Sequence, residues 1–140
     1  MNMDYSYVLT PFLTWFVAGV TKFTVNSCRA RQLAFGLVGY GGLPSNHSAI
    51  VTSMAALIAL KEGIDSAAFG VAVTLAFIVI LDANSLRMQI GKQAAAINRL
   101  AGPVTNGTPL RERMGHTRIE VAAGVIVGIV VAYAVFRTVS

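Results

Sequence analysis

His47 and His116 are the two histidines of a 140-residue chain, and each stands among residues with which an imidazole does chemistry. In "GHTRIE", His116 precedes Glu120 by four residues. If a helix begins near Gly115, the two share a face one turn apart. A carboxylate so placed accepts the imidazole Nδ1 proton and leaves Nε2 free as an attacking nitrogen. Glu120 also sits at the edge of an apolar segment, where an unpaired charge is costly and a partner is expected. The same spacing suits a plain helix-start carboxylate favoured by the helix dipole. His47 follows Pro44, Ser45 and Asn46. These are residue types of a helix start, where free backbone N–H groups form an anion site. Alone, the stretch reads as a helix cap. With Lys22, Arg29 and Arg31 upstream it reads as a phosphate cradle of backbone donors, a point charge and forked guanidinium groups.

The elements that must hold these residues are membrane helices. Hydrophobic residues make up 55% of the chain and charged ones 12%, far from the soluble average. Tyr5 to Thr21, Ser66 to Leu81 and Val121 to Phe136 carry no charge, and each run is near the minimum for crossing a bilayer. Ala49 to Leu60 is a shorter run that reaches across only with His47 and Ser48 included, so the expectation is four crossings with the second weakest. The fold class expected is therefore all-α, a polytopic membrane bundle in one domain over residues 1–140. The N-terminus has an acid and no Lys or Arg, unlike a secretory signal, so the first helix is expected to remain in the mature protein. The single cysteine, Cys28, excludes an internal disulfide or a multi-cysteine metal site.

Four crossings put both termini on one side. Lys22, Arg29, Arg31, Arg87, Lys92, Arg99, Arg111, Arg113 and Arg118 then share the other side, nine of the eleven cations, while Lys61 and Arg137 lie opposite. The positive-inside rule places the cation-rich side in the cytoplasm and both termini outside. Both histidines fall on that cation-rich side. Between the third and fourth crossings, Leu86, Ile90, Ala94 and Ile97 are spaced for one face of an interfacial helix. "AGPVTNGTP", residues 101–109, reads as a loop. Gly124 and Gly128 give a small-xxx-small spacing that serves either packing within the chain or a homo-oligomer.

Taken in order, Lys22, six residues, Arg29; then Pro44, Ser45, Asn46, His47; then His116, three residues, Glu120, resemble the superfamily of type-2 phosphatidic acid phosphatases and vanadium haloperoxidases. That pattern is Lys with six residues before Arg-Pro, then Pro-Ser-Gly-His, then Ser-Arg, five residues, His, three residues, Asp. The nearer likeness is to its divergent branch of small bacterial and plant membrane proteins. "GGLPSNHSAIVTS", "DANSLRMQIGKQAAAIN" and "LRERMGHTRIEVAAG" look like that branch's signatures, in order and over nearly the whole chain. The sequence departs from the wider pattern at four points. Ala30 replaces the first motif's proline, and Arg31 competes with Arg29 for its arginine. Asn46 stands where the second motif has glycine. Leu110 stands where the third motif has arginine, with Arg111 one residue late and Arg87 an alternative. Glu120 replaces aspartate.

The resemblance implies that His116 attacks phosphorus to form a phosphohistidine, oriented by Glu120, while His47 protonates the leaving alkoxide and then activates water. It implies that Lys22, Arg29 or Arg31, Arg87 or Arg111, Ser45, Asn46 and the nearby N–H groups hold the phosphate oxygens, with Asp82 orienting an arginine. Phosphoryl transfer of this kind rests on positioning and charge neutralisation, so no metal or other cofactor is expected. A site at headgroup level suits a lipid phosphate or diphosphate, such as phosphatidylglycerophosphate, phosphatidate or a polyprenyl phosphate. The expected partners are that substrate and membrane lipids, with no nucleic acid, in a bacterial inner membrane with the site facing the cytoplasm. Three alternatives stay open: a non-catalytic lipid-phosphate-binding or scaffold protein, a lipid phosphotransferase, and a small four-helix transporter. The last is disfavoured because Tyr5 to Thr21 lacks the carboxylate such carriers hold deep in the first helix.

Overall fold

A computed structural model describes residues 4–31, 42–101, 108–112 and 114–139, all helix and connector with no strand among them. Arg113 and residues 102–107 of the expected loop lie outside the described residues. Helix α1 (Ser6–Ala30) buries Ser6, Thr10, Thr14 and Ala18, every fourth residue, as a narrow inward stripe. Small side chains there let neighbouring helices come close. Thr10 Oγ1 donates to the Ser6 carbonyl at 2.6 Å, so the buried hydroxyl keeps a partner inside its own helix. Phe12, Trp15 and Phe16 point outward and are exposed, the reverse of a soluble bundle and the arrangement a lipid surroundings favours.

Helix α2 (Asn46–Glu62) starts where Ser45 caps it, its hydroxyl accepting the Ser48 N–H at 3.3 Å. It touches α1, α3 and α5 and buries Ser48, Ala49, Val51, Ser53, Ala55, Leu57 and Ile58, which lie around its circumference. At 17 residues it is about 25 Å long, short of the ~30 Å hydrocarbon thickness. Among the described residues, three helical stretches are long and apolar enough to cross: Ser6–Ala30, Ala67–Leu100 and Arg118–Val139. The weak second crossing of the sequence is thus the helix that the others enclose.

Helix α3 (Ala67–Leu81) is capped by Ser66, which accepts the Phe69 N–H at 3.2 Å. It runs through a one-turn π-helix, Asp82–Leu86, straight into α4 (Arg87–Ala101). The connector helix therefore continues the third crossing. Of the four residues expected on one face, Leu86, Ile90 and Ile97 are exposed and only Ala94 turns inward, where Gly91 is buried too; half-buried Asn98 ties the helix to the connector that follows it. The Asn98 amide accepts the Leu110 N–H at 2.8 Å and donates to the Leu110 carbonyl at 2.8 Å and to Glu112 Oε1 at 2.9 Å.

Helix α5 (Arg118–Val139) presses its backbone onto α2. A Cβ at Gly124 would stand 2.4 Å from the Ser45 carbonyl oxygen, and one at Gly128 2.5 Å from that of Ala49. Both glycines of the small-xxx-small pair are therefore used within the chain. At the end of the bundle where α1 begins, Lys61 pairs with Asp4, donates to Ser6 Oγ at 2.8 Å and lies 5.0 Å from the Tyr7 ring centre. The opposite end gathers the close of α1, the starts of α2 and α5, and the π-turn.

Candidate active site

The connector ahead of α5 decides where His116 goes. The helix begins at Arg118, three residues later than Gly115, so His116 precedes it and is not one turn below Glu120 on a shared helical face. The two still meet, through a capping box. Thr117 is the cap: Glu120 N–H donates to Thr117 Oγ1 at 3.3 Å, and Thr117 N–H donates to Glu120 Oε2 at 2.9 Å. The same Oε2 lies 3.2 Å from His116 Nδ1. One carboxylate oxygen therefore closes the helix start and holds the imidazole, so the helix-start reading and the imidazole-partner reading of Glu120 are both realised.

His116 is buried, its backbone N–H donating to the Ala83 carbonyl at 2.9 Å. Burial holds its imidazole below the ordinary value of 6.5, with Lys22 and Arg87 acting in the same direction and the Glu120 carboxylate opposing. The His47 ring centre lies 6.1 Å from that of His116, the planes tilted by 56°. Among the described residues, buried Nδ1 of His47 has no hydrogen-bond partner, and neither does Oδ1 of its neighbour Asn46.

Around the imidazoles the structure brings together most of the expected residues. Ser45 is fully buried, and its backbone N–H donates to the Glu120 carbonyl at 2.9 Å, tying the start of α2 to the start of α5. Its hydroxyl also accepts from Ser48 Oγ at 3.0 Å. Lys22 and Arg87 act electrostatically on both histidines, and Lys22 and Glu120 attract one another. Arg87 Nε donates to Asp82 Oδ2 at 3.1 Å, the pairing the sequence expects of Asp82. Arg29 and Arg31 close α1 with exposed side chains, and Arg111 is exposed beside α4.

Three participants escape a reading by residue type. The Ala83 carbonyl is backbone and leaves no mark in composition. Ser48 looks like one more small residue of an apolar run. Thr117 does leave a signal, the Thr-x-x-Glu spacing of a capping box, in "HTRIE".

The helical bundle thus carries at one end a His-His-Glu cluster with a lysine and an arginine acting on it. Residues 3–131 match the Divergent PAP2 family, and the chain belongs to that family. It is also 35% identical to a Bacillus subtilis (strain 168) protein described as the uncharacterized membrane protein YuiD, over 80% of this chain and 82% of that one. No solved structure matches the chain. The protein is an integral membrane protein of this family.

Proposed function

We propose that the protein is a phosphatase of lipid phosphates that works through a phosphohistidine. The observation that carries this reading is the His116 Nδ1 contact with Glu120 Oε2, with the His47 ring facing it across 6.1 Å. With Nδ1 held, Nε2 of His116 is the free nucleophile. It attacks phosphorus, and an N–P bond forms as the bond to the lipid oxygen breaks. His47 gives its proton to that leaving oxygen, then takes a proton from the water that attacks the phosphohistidine. Inorganic phosphate leaves and His116 is restored. Lys22, Arg87, Ser45 and the N–H groups at the start of α2 neutralise the phosphoryl oxygens. Arg29, Arg31 and Arg111, all exposed, are the cations left to meet a bulky headgroup from outside. Because the site lies at one end of membrane-crossing helices, its substrate carries a lipid tail within the bilayer. The cation excess at that end supports a cytoplasmic orientation.

The test is phosphate release by purified protein from a panel holding phosphatidylglycerophosphate, phosphatidate and a polyprenyl phosphate. Release is expected to be sensitive to vanadate. His116→Ala should lower kcat by at least about 10³-fold and His47→Ala by about 10²- to 10⁴-fold. Full activity in His116→Ala would sink the mechanism. A second reading, binding without turnover, has one observation in its favour: Asn46 puts a side chain whose buried oxygen has no partner among the described residues where the related pattern has glycine. Binding of the same lipids with no phosphate released would decide for it.

A further inference from the structure

We propose that the π-turn Asp82–Leu86 is a positioning device for the site: its one extra residue holds His116 in place and pairs Arg87 with Asp82. This rests on the reading of His116 as the nucleophile. In an α-helix the Arg87 N–H would bond the Ala83 carbonyl four residues back. Here it reaches one residue further, to the Asp82 carbonyl. The Ala83 carbonyl is thereby released, and the His116 N–H takes it at 2.9 Å. Ala83 is 1% exposed, so an orphaned carbonyl there would be costly, and His116 supplies its donor.

The same turn sets the side chains. Residues five apart point about 140° away from each other on an α-helix, which would part Asp82 from Arg87. Across the π-turn they meet, Arg87 Nε to Asp82 Oδ2 at 3.1 Å, with the guanidinium charge felt at both imidazoles. Gly115 completes the fit. It has φ +86°, and a Cβ there would stand 3.0 Å from the Met88 nitrogen and 3.3 Å from the Ala83 oxygen. No side chain fits between the turn and the connector that delivers His116. Single π-turns inside α-helices are rare and often lie at functional sites.

Deleting Ser85 restores ordinary α-helical register. Ser85 is exposed and its hydroxyl donates only to its own helix, to the Leu81 carbonyl at 2.6 Å. The proteins are compared with histidine labelled with nitrogen-15, His47→Gln identifying the His116 signal. In the wild type the His116 amide should be protected from hydrogen exchange, and in the deletion variant that protection should be lost. On dioctanoyl phosphatidate, kcat should fall at least about 100-fold while KM stays within about threefold, the mark of misplacement and not of lost binding. Ser85→Ala, which keeps the residue count, should behave as wild type. Should the deletion variant not fold, Gly115→Ala carries the same expectations with the helix untouched. An unprotected His116 amide in the wild type, or wild-type kcat in a folded deletion variant, would overturn the proposal. Wild-type protein that hydrolyses no lipid phosphate would instead overturn the phosphatase reading, leaving the exchange result to judge the turn alone.

Discussion

Glu120 serves two partners with one oxygen, and that division of labour can be measured. Its carboxylate raises the His116 imidazole against the lowering effect of burial, so the net position is below 6.5. In its proposed role as nucleophile, His116 held there stays unprotonated through neutral pH, and the acid limb of kcat/KM is expected below 6.5. Glu120→Gln keeps an oxygen for the Thr117 N–H and removes the charge. The sign follows: without the raising influence the limb moves to still lower pH, while kcat drops on the order of 10²-fold because the imidazolium side of the reaction loses its counter-charge. A pH–rate profile of the variant checks both, and a limb that moves upward would contradict the assignment. At this scale the sequence singled out His47, His116, Glu120 and Lys22, which the structure brings to one end of the bundle, because four-residue spacing and charge are visible as letters. It misled on how His116 meets Glu120, since helix starts are settled by capping and not by periodicity. It left Arg29 against Arg31 and Arg87 against Arg111 open, because spacing along a chain says little about which long side chain crosses a gap.

Helix α2 is where sequence and structure differ most instructively. Its short, serine-bearing run reads as the weakest crossing, yet it is the helix that three others enclose. An enclosed helix meets protein on all sides, so it has no need of the bulky apolar surface that marks a lipid-facing one. Close approach matters more, and the glycines of α5 provide it. Gly124→Ala and Gly128→Ala are each expected to cost about 1–3 kcal/mol, because backbone carbonyls and not flexible side chains stand in the way. The two should differ in function. At Gly124 the obstructed group is the Ser45 carbonyl, beside the site, whereas at Gly128 it is that of Ala49, one turn deeper. Unfolding measurements should show similar losses of stability, and kcat at a temperature where both are folded should fall only for Gly124→Ala. The π-turn, by contrast, had no signature to read, since "DANSL" is compatible with plain helix and the extra residue shows only in which carbonyl each N–H reaches.

For the molecule as a whole, the sorting of charges made the two ends distinguishable before any helix was placed. The structure agrees that Lys22, His47, His116 and Arg87 share one end while Lys61 lies at the other. Orientation in the membrane is a separate matter, and Cys28 tests it. It is exposed near the close of α1, at the end that holds the site. An impermeant thiol reagent should fail to label it in intact cells and should label it in inverted vesicles. Labelling in intact cells would reverse the proposed sidedness and put the substrate on the outer leaflet.

The enclosure of α2 also bears on how the protein is made. A helix of 17 residues with serines at its core gains little from lipid and is a poor candidate to leave the insertion machinery by itself. It should be held until neighbours can shield it, with α1 already waiting and α3 following. Its longest contact, the glycine face of α5, arrives last in the order of synthesis and brings His116 and Glu120 with it. Half of the site is therefore laid down early, and the other half comes with the helix that finishes the packing. A ribosome-bound chain without α5 would have His47 but not the residue proposed as nucleophile, so the step that completes the fold is also the step that completes the proposed site.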